Sequence, residues 1–206
     1  MPACPEVGIA SDALVELRVC VAEVGPVRAD PDEGAEQVTQ ALAGEPLAVD
    51  TAQDGWAHIR TAYGYPGWIR EDALGGEPDG EWPGLPRAGD PVEQARAYLE
   101  TPYEWGGLTE RGIDCSGLVH MAYRRLGRVV PRDAHEQEAA AEELDERDLR
   151  SGDLVFFGPP ERADHIAFWL GEGRILHATG REGVQAVVDE PLANVRGEHE
   201  LRYGRL

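Results

Sequence analysis

The chain has 206 residues, 42% of them hydrophobic and 28% charged, with 25 Gly and 15 Pro. That is the composition of a folded, turn-rich protein of one large or two small domains, not of a disordered or fibrous chain. Its formal charge of −20 comes from 39 acidic against 19 basic residues, every one of them Arg. Phosphate binding needs clustered cations, so nucleic acid is excluded as a partner and an anionic membrane would repel the surface.

Cys4, Cys20 and Cys115 form no C-x-x-C pair and no disulfide framework, which suits a reducing compartment. The first residues, Met1-Pro2-Ala3-Cys4-Pro5-Glu6, lack a basic region followed by an apolar run, and no stretch approaches the roughly 18 apolar residues of a membrane span. A cytoplasmic, monomeric protein without a membrane partner is expected.

In chain order, residues 1–12 read as an arm. Over residues 15–24, Val15, Leu17, Val19 and Val21 alternate with Glu16, Arg18 and Cys20, the period of a half-buried strand. Short strands are expected at 37–42, 46–50, 56–61 and 67–70, so residues 13–75 form a small β-barrel. The Gly- and Pro-rich stretch 76–89 supports neither helix nor paired strand and is the linker. Residues 90–206 are the second domain. Asp90 caps a helix with Pro91 at its first position, running to about residue 100. Next, Cys115, Leu118, Val119, Ala122, Tyr123 and Leu126 recur at helical spacing, with Asp114 as the cap and Gly127 as the stop. Asp133 and Glu136 suggest a capping box for a third helix. Strands are expected at 153–157, 166–170, 174–178 and 184–188, which makes the second domain α+β.

This order sets Cys115 in the first turn of a helix, where the macrodipole and free N–H groups favour thiolate over thiol. Cysteine is also a common buried apolar residue, so position alone does not make a nucleophile. Two histidines add to the case. Residues 165–177 read as two strands joined at Gly171-Glu172-Gly173, which sets His165 and His177 close to opposite each other, within one or two residues of register. One imidazole can then orient the other, giving nucleophile, base and orienting group in Cys115, His165 and His177. Zinc accepts the same three ligands, but their spacing matches no common zinc motif and no fourth ligand presents itself, so no metal or other cofactor is expected. His58, His120, His135 and His199 are assigned to surface or core.

Pro102-Tyr103-Glu104-Trp105-Gly106-Gly107, Gly112-Ile113-Asp114-Cys115-Ser116-Gly117, Pro131-Arg132-Asp133, Gly152-Asp153-Leu154-Val155-Phe156-Phe157 and Asp164-His165-Ile166-Ala167 resemble, in order, the NlpC-type cell-wall peptidases. The likeness covers residues 90–206. The first half resembles the bacterial SH3-like domain often fused to them, through Gly55-Trp56 and Tyr65-Pro66-Gly67-Trp68-Ile69. The resemblance implies a papain-like α+β catalytic domain behind an all-β SH3-like barrel. It also implies a cysteine peptidase with Cys115 as nucleophile, His165 as base and His177 as its orienting group.

The implied reaction is cleavage of the γ-D-glutamyl–diamino acid bond of murein peptides, here short ones with a free N-terminal L-Ala, in wall recycling. By motif position Tyr103 and Trp105 would line the cleft, Asp114 and Ser116 flank the nucleophile, Asp133 pair with the substrate ammonium, and Tyr65 reach across from the barrel. An acidic residue within 30–36 would assist. Relatives often carry Ser after the residue matching Asp133, whereas this chain has Ala134. Two other readings stay open: a non-catalytic wall-peptide binding module, and a papain-like amidase or acyltransferase acting on another substrate.

Overall fold

The computed structural model describes residues 16–78, 82, 87–159, 162–197 and 200–206. The expected arm, Cys4, half of the linker and His199 lie outside the described residues.

Six strands make the first half: β1 (Glu16–Val19), β2 (Val24–Arg28), β3 (Gln37–Leu42), β4 (Pro46–Gln53), β5 (Trp56–Thr61) and β6 (Pro66–Arg70). They form one antiparallel sheet in the order β1-β4-β5-β6-β2-β3, which wraps a core of Cys20, Val27, Ala41, Leu47, Ile59 and Ile69. Two expectations fail here. The stripe Leu17/Val21 faces outward, 52% and 57% exposed, while Cys20 is buried at 1%. β1 stops at Val19 and its burial does not alternate: Glu16 and Leu17 are exposed and Arg18 and Val19 half-buried, with β4 on one edge and the Gly75 and Gly76 backbone bonded to Val19 on the other. β2 was not expected, because Gly25-Pro26 interrupts its alternation. At Gly25 a Cβ would sit 2.8 Å from Ile69 Cδ1, so a larger residue would have to displace the tip of that core side chain.

The second half holds α1 (Pro91–Arg96), a small ribbon of β7 (Leu108–Thr109) and β8 (Gly112–Ile113), α2 (Cys115–Arg124) and α3 (Ala134–Ala140). It continues through β9 (Glu142–Glu143), β10 (Leu154–Phe157), β11 (His165–Gly171), β12 (Arg174–Thr179), β13 (Ala186–Pro191) and β14 (Arg202–Arg205). Its main sheet runs β13-β12-β11-β10-β14-β9, antiparallel throughout, and α2 packs on β11 and β12 through Leu118, Val119, Ala122 and Tyr123. α1 ends four residues early: Ala97 N–H turns back to the Gln94 carbonyl and Glu100 adopts φ 68°, two residues before Pro102.

No helix among the described residues is long and apolar enough to cross a membrane. The papain-like α+β half therefore follows an SH3-like β half, and polar groups buried between them join the two. Arg132, 2% exposed, donates from Nε to Thr39 Oγ1 at 3.0 Å. Gln40 Oε1 accepts from the Leu108 N–H at 2.9 Å, and the Arg124 guanidinium reaches Glu45 at 3.1 Å with both side chains nearly sequestered from water.

Candidate active site

α2 begins where Asp114 Oδ1 accepts the Gly117 N–H at 2.6 Å, a side-chain cap that sets Cys115 in the first turn. Gly117 has to be glycine, because a Cβ would fall 2.4 Å from the Gly107 carbonyl oxygen of the preceding loop. The other Asp114 oxygen accepts the Gly106 N–H at 2.8 Å, and Arg132 clamps both oxygens at 2.9 and 2.6 Å while also donating to Ser116 Oγ at 2.9 Å. Asp114 and Ser116 border the cleft, but their polar atoms are engaged in holding the helix start.

Backbone N–H groups of Ile166 and Ser116 point at the Cys115 sulfur, and Arg132 adds a favourable charge. Burial outweighs these and, with the Asp114 carboxylate, pushes the thiol up to about 12. The N–H groups at the helix start favour the thiolate, as expected, but they do not offset the burial. A base must take the proton.

The His165 imidazole stands at the start of β11, which packs against α2. β11 and β12 meet at a two-residue turn in which Glu172 and Gly173 have φ 51° and 71°, between the paired Gly171 and Arg174. Phe168 pairs with Leu176, so His165 and His177 are diagonal neighbours, not directly opposite. Their rings still meet, with His165 Nε2 2.7 Å from His177 Nδ1. His177 is buried, and desolvation lowers its pKa against the raising effect of Glu190. Behind it, His177 Nε2 lies 3.0 Å from Glu190 Oε1 on β13. Glu190 was missed because the last strand was expected to stop at residue 188, whereas β13 extends to Pro191 and carries the carboxylate past His177. Charge composition gave no help, since Glu190 is one acid among 39.

A cleft of about 260 Å³ opens over Cys115. The second half lines it with Asp114, Ser116, Asp133, Ala134 and His135, and the first half contributes Glu36, Val38 and Tyr65. Trp105 borders the same space, 58% exposed, and its Nε1–H donates to Glu36 Oε1 at 2.7 Å. Asp133 stands at the N-cap of α3, but its carboxylate does not cap; it accepts the Tyr65 hydroxyl at 3.1 Å across the junction. The expected capping box is therefore absent, because the aromatic donor takes the side chain that would have closed it. Burial and the Asp133 carboxylate both raise the Tyr65 pKa, which keeps its hydroxyl a donor.

Tyr103 packs on Gly180, and its pKa is raised by burial and then by Cys115 and Asp114 nearby. His135, expected on the surface or in the core, lines the cleft. His120 is buried with Nδ1 2.8 Å from the Val130 carbonyl, and desolvation pulls its pKa to about 3. His58 sits in the barrel beside Asp50 and Trp68. Among the described residues, no group of three or more His, Cys, Asp or Glu side chains could hold a metal ion.

Residues 100–199 match the model of the NlpC/P60 family, and residues 27–74 match the bacterial dipeptidyl-peptidase Sh3 domain. Over 135 residues the chain is 30% identical to a Bacillus subtilis protein named gamma-D-glutamyl-L-lysine dipeptidyl-peptidase, covering 64% of this chain and 44% of that one. A Bacillus cereus protein of the same name is 33% identical over 100 residues, covering 47% and 30%. The chain thus spans less than half the length of these curated relatives. A solved NlpC/P60 family protein from Bacillus cereus shares the fold, with a TM-score of 0.52 at 24% identity, over 94% of this chain and 64% of that one.

Proposed function

Given that residues 100–199 belong to the NlpC/P60 family and residues 27–74 form a bacterial dipeptidyl-peptidase Sh3 domain, we propose that this protein is a cysteine peptidase of murein peptides. In this reading it hydrolyses the γ-D-glutamyl–diamino acid bond of short peptides with a free N-terminal L-Ala. The observation that carries the reading is the make-up of the cleft. Cys115 lines it together with four acids, Glu36, Asp114, Asp133 and Asp164, and one cation, Arg162; Asp114 is held by Arg132, and of the others Asp133 and Glu36 come one from each half of the chain. Of the acids in residues 30–36, Glu36 is the one that borders this space. An ammonium group is the natural counterpart of such a pair, with Tyr65 fixing Asp133 and Trp105 fixing Glu36.

In the chemistry that follows, His165 takes the proton of the Cys115 thiol and the thiolate attacks the γ-glutamyl carbonyl carbon. Backbone N–H groups at the start of α2 stabilise the oxyanion, the imidazolium protonates the departing amine, and water hydrolyses the thioester to release the D-glutamyl carboxylate. Burial raises the Cys115 thiol, so this reading needs His165 to take its proton as the sulfur attacks. A requirement for a free amino end suits peptides already released from the wall, where the L-Ala nitrogen is no longer blocked by sugar, and this supports recycling in the cytoplasm as the setting.

The test is mass spectrometry of L-Ala-γ-D-Glu-diaminopimelate after incubation with the protein, beside its N-acetylated copy. Cleavage after D-Glu of the free peptide alone is expected. Equal cleavage of both would remove the role of Asp133 and Glu36, and cleavage of neither would overturn the proposed substrate.

A further inference from the structure

The hydrogen-bond chain from His165 through His177 runs one member further, to Glu190, and closes there. Glu190 Oε1 accepts from His177 Nε2 at 3.0 Å and from Arg181 at 2.8 Å; Oε2 accepts from Arg181 at 2.9 Å and from Asn194 Nδ2 at 2.9 Å. We infer that Glu190 is a positioning residue that fixes the tautomers of both catalytic-site histidines, and through them makes His165 Nδ1 the atom that accepts the thiol proton. This rests on the proposed peptidase site but concerns ring protonation, which is measurable without substrate.

The argument is one of donor arithmetic. A carboxylate can only accept, so His177 Nε2 must carry a proton. His177 is buried and its pKa is lowered, so it is neutral near pH 7 and its Nδ1 holds a lone pair. That lone pair lies 2.7 Å from His165 Nε2, which must therefore be the donor. With Nε2–H committed, the acceptor left on His165 is Nδ1. When Nδ1 takes the Cys115 proton, the imidazolium still donates from Nε2 to the same His177 lone pair, so no bond breaks and no proton passes to His177 or Glu190.

Burial alone would raise the Glu190 carboxyl, but hydrogen bonds from Arg181, Asn194 and His177 hold it at about 2, ionised across the working range. The titratable and charged groups around this chain are Cys115 from α2, Arg181 from the loop after β12, and Arg162 and Asp164, which border the cleft ahead of β11. Asn194, from the turn after β13, is the neutral fourth contact. A glutamine at 190 could turn its amide N–H₂ toward His177. His177 Nε2 would then become the acceptor and Nδ1 the donor, which in turn would place the proton of neutral His165 on Nδ1, where it cannot act as a base.

The experiment is long-range ¹H–¹⁵N NMR of the histidine rings in the full chain, with the rate of Cys115 alkylation by iodoacetamide measured over pH, for the wild type, Glu190→Gln and Glu190→Asp. In the wild type near neutral pH, His177 should show a protonated Nε2 and an unprotonated Nδ1. In Glu190→Gln that pattern should reverse or become mixed, and alkylation at pH 7 should slow by about 10- to 100-fold. Its alkaline limb should move to lower pH, because the imidazolium loses a nearby negative charge. Glu190→Asp should restore the wild-type ring pattern at least in part. A wild-type His177 protonated on Nδ1 would overturn the inference, as would a folded Glu190→Gln variant with unchanged ring signals and alkylation. If Glu190→Gln fails to fold, the wild-type spectrum alone decides. Because neither readout uses a peptide, failure of the proposed substrate leaves both interpretable.

Discussion

Cys20 and Cys115 are equally hidden, at 1% and 5% exposure, and burial raises the pKa of both. Their surroundings differ. Cys20 sits in the barrel core, its thiol directed at the carbonyls of Ala22 and Ala41, and the buried Glu45 carboxylate raises it further. Cys115 opens on a cleft, and His165 stands on the strand beside it. The carboxylates behind them are tuned in opposite senses. Desolvation raises Glu45 despite Arg124, whereas Arg181, Asn194 and His177 hold Glu190 at about 2 against its burial. On the proposed function, what separates a nucleophilic from a structural cysteine is the neighbouring imidazole and the open cleft, not the degree of burial.

The largest effect that can break this contrast is Cys115→Ala, which should lower turnover of the free peptide by at least about 10⁴-fold while leaving the melting temperature near that of the wild type. Retained cleavage, measured by product mass spectrometry, would remove Cys115 as nucleophile. Next in size, iodoacetamide near pH 7 should modify Cys115 about 100-fold faster than Cys20 in the folded chain, read by peptide mapping. Comparable rates would mean that the histidine chain does not activate the thiol.

At the amine end, Asp133→Asn should cost about 10- to 100-fold in kcat/KM on the free peptide, with little effect on any residual cleavage of the acetylated one. Acid unfolding sharpens the contrast between the two carboxylates. A group whose folded pKa is depressed contributes stability above its unfolded value, near 4.5 for Glu190, and loses it as pH falls toward about 2. Denaturant melts of Glu190→Gln should therefore show a flatter decline than the wild type over that window. The smallest effect belongs to Cys20→Ala, which should leave kcat/KM within about twofold and cost about 1 kcal/mol of stability through the lost packing.

The sequence made legible the elements whose pattern is local. The stripe on α2, its Asp114 cap and the turn at Gly171-Glu172-Gly173 are all contained within short windows, and together they brought Cys115, His165 and His177 into view. What it hid depends on pairing between distant segments. Glu190 reaches His177 only through the register of β12 with β13, and Glu36 reaches the cleft only because the barrel docks beside Trp105. The exposure of Leu17 on β1 was hidden for the same reason. Alternation is a pattern along the chain, and only the tertiary partners decide which residues are covered.

The polar junction between the halves has a consequence for how the chain unfolds and how its parts could be exchanged. Arg132 needs Thr39, Arg124 needs Glu45, and the Leu108 N–H needs Gln40. Of these only Arg124–Glu45 is an ion pair, and a substitution that removes one of its partners while the other stays buried should cost about 3–5 kcal/mol. The barrel and the catalytic half should therefore melt in a single cooperative transition, and neither should be interchangeable with a counterpart from another protein unless its junction partners come with it.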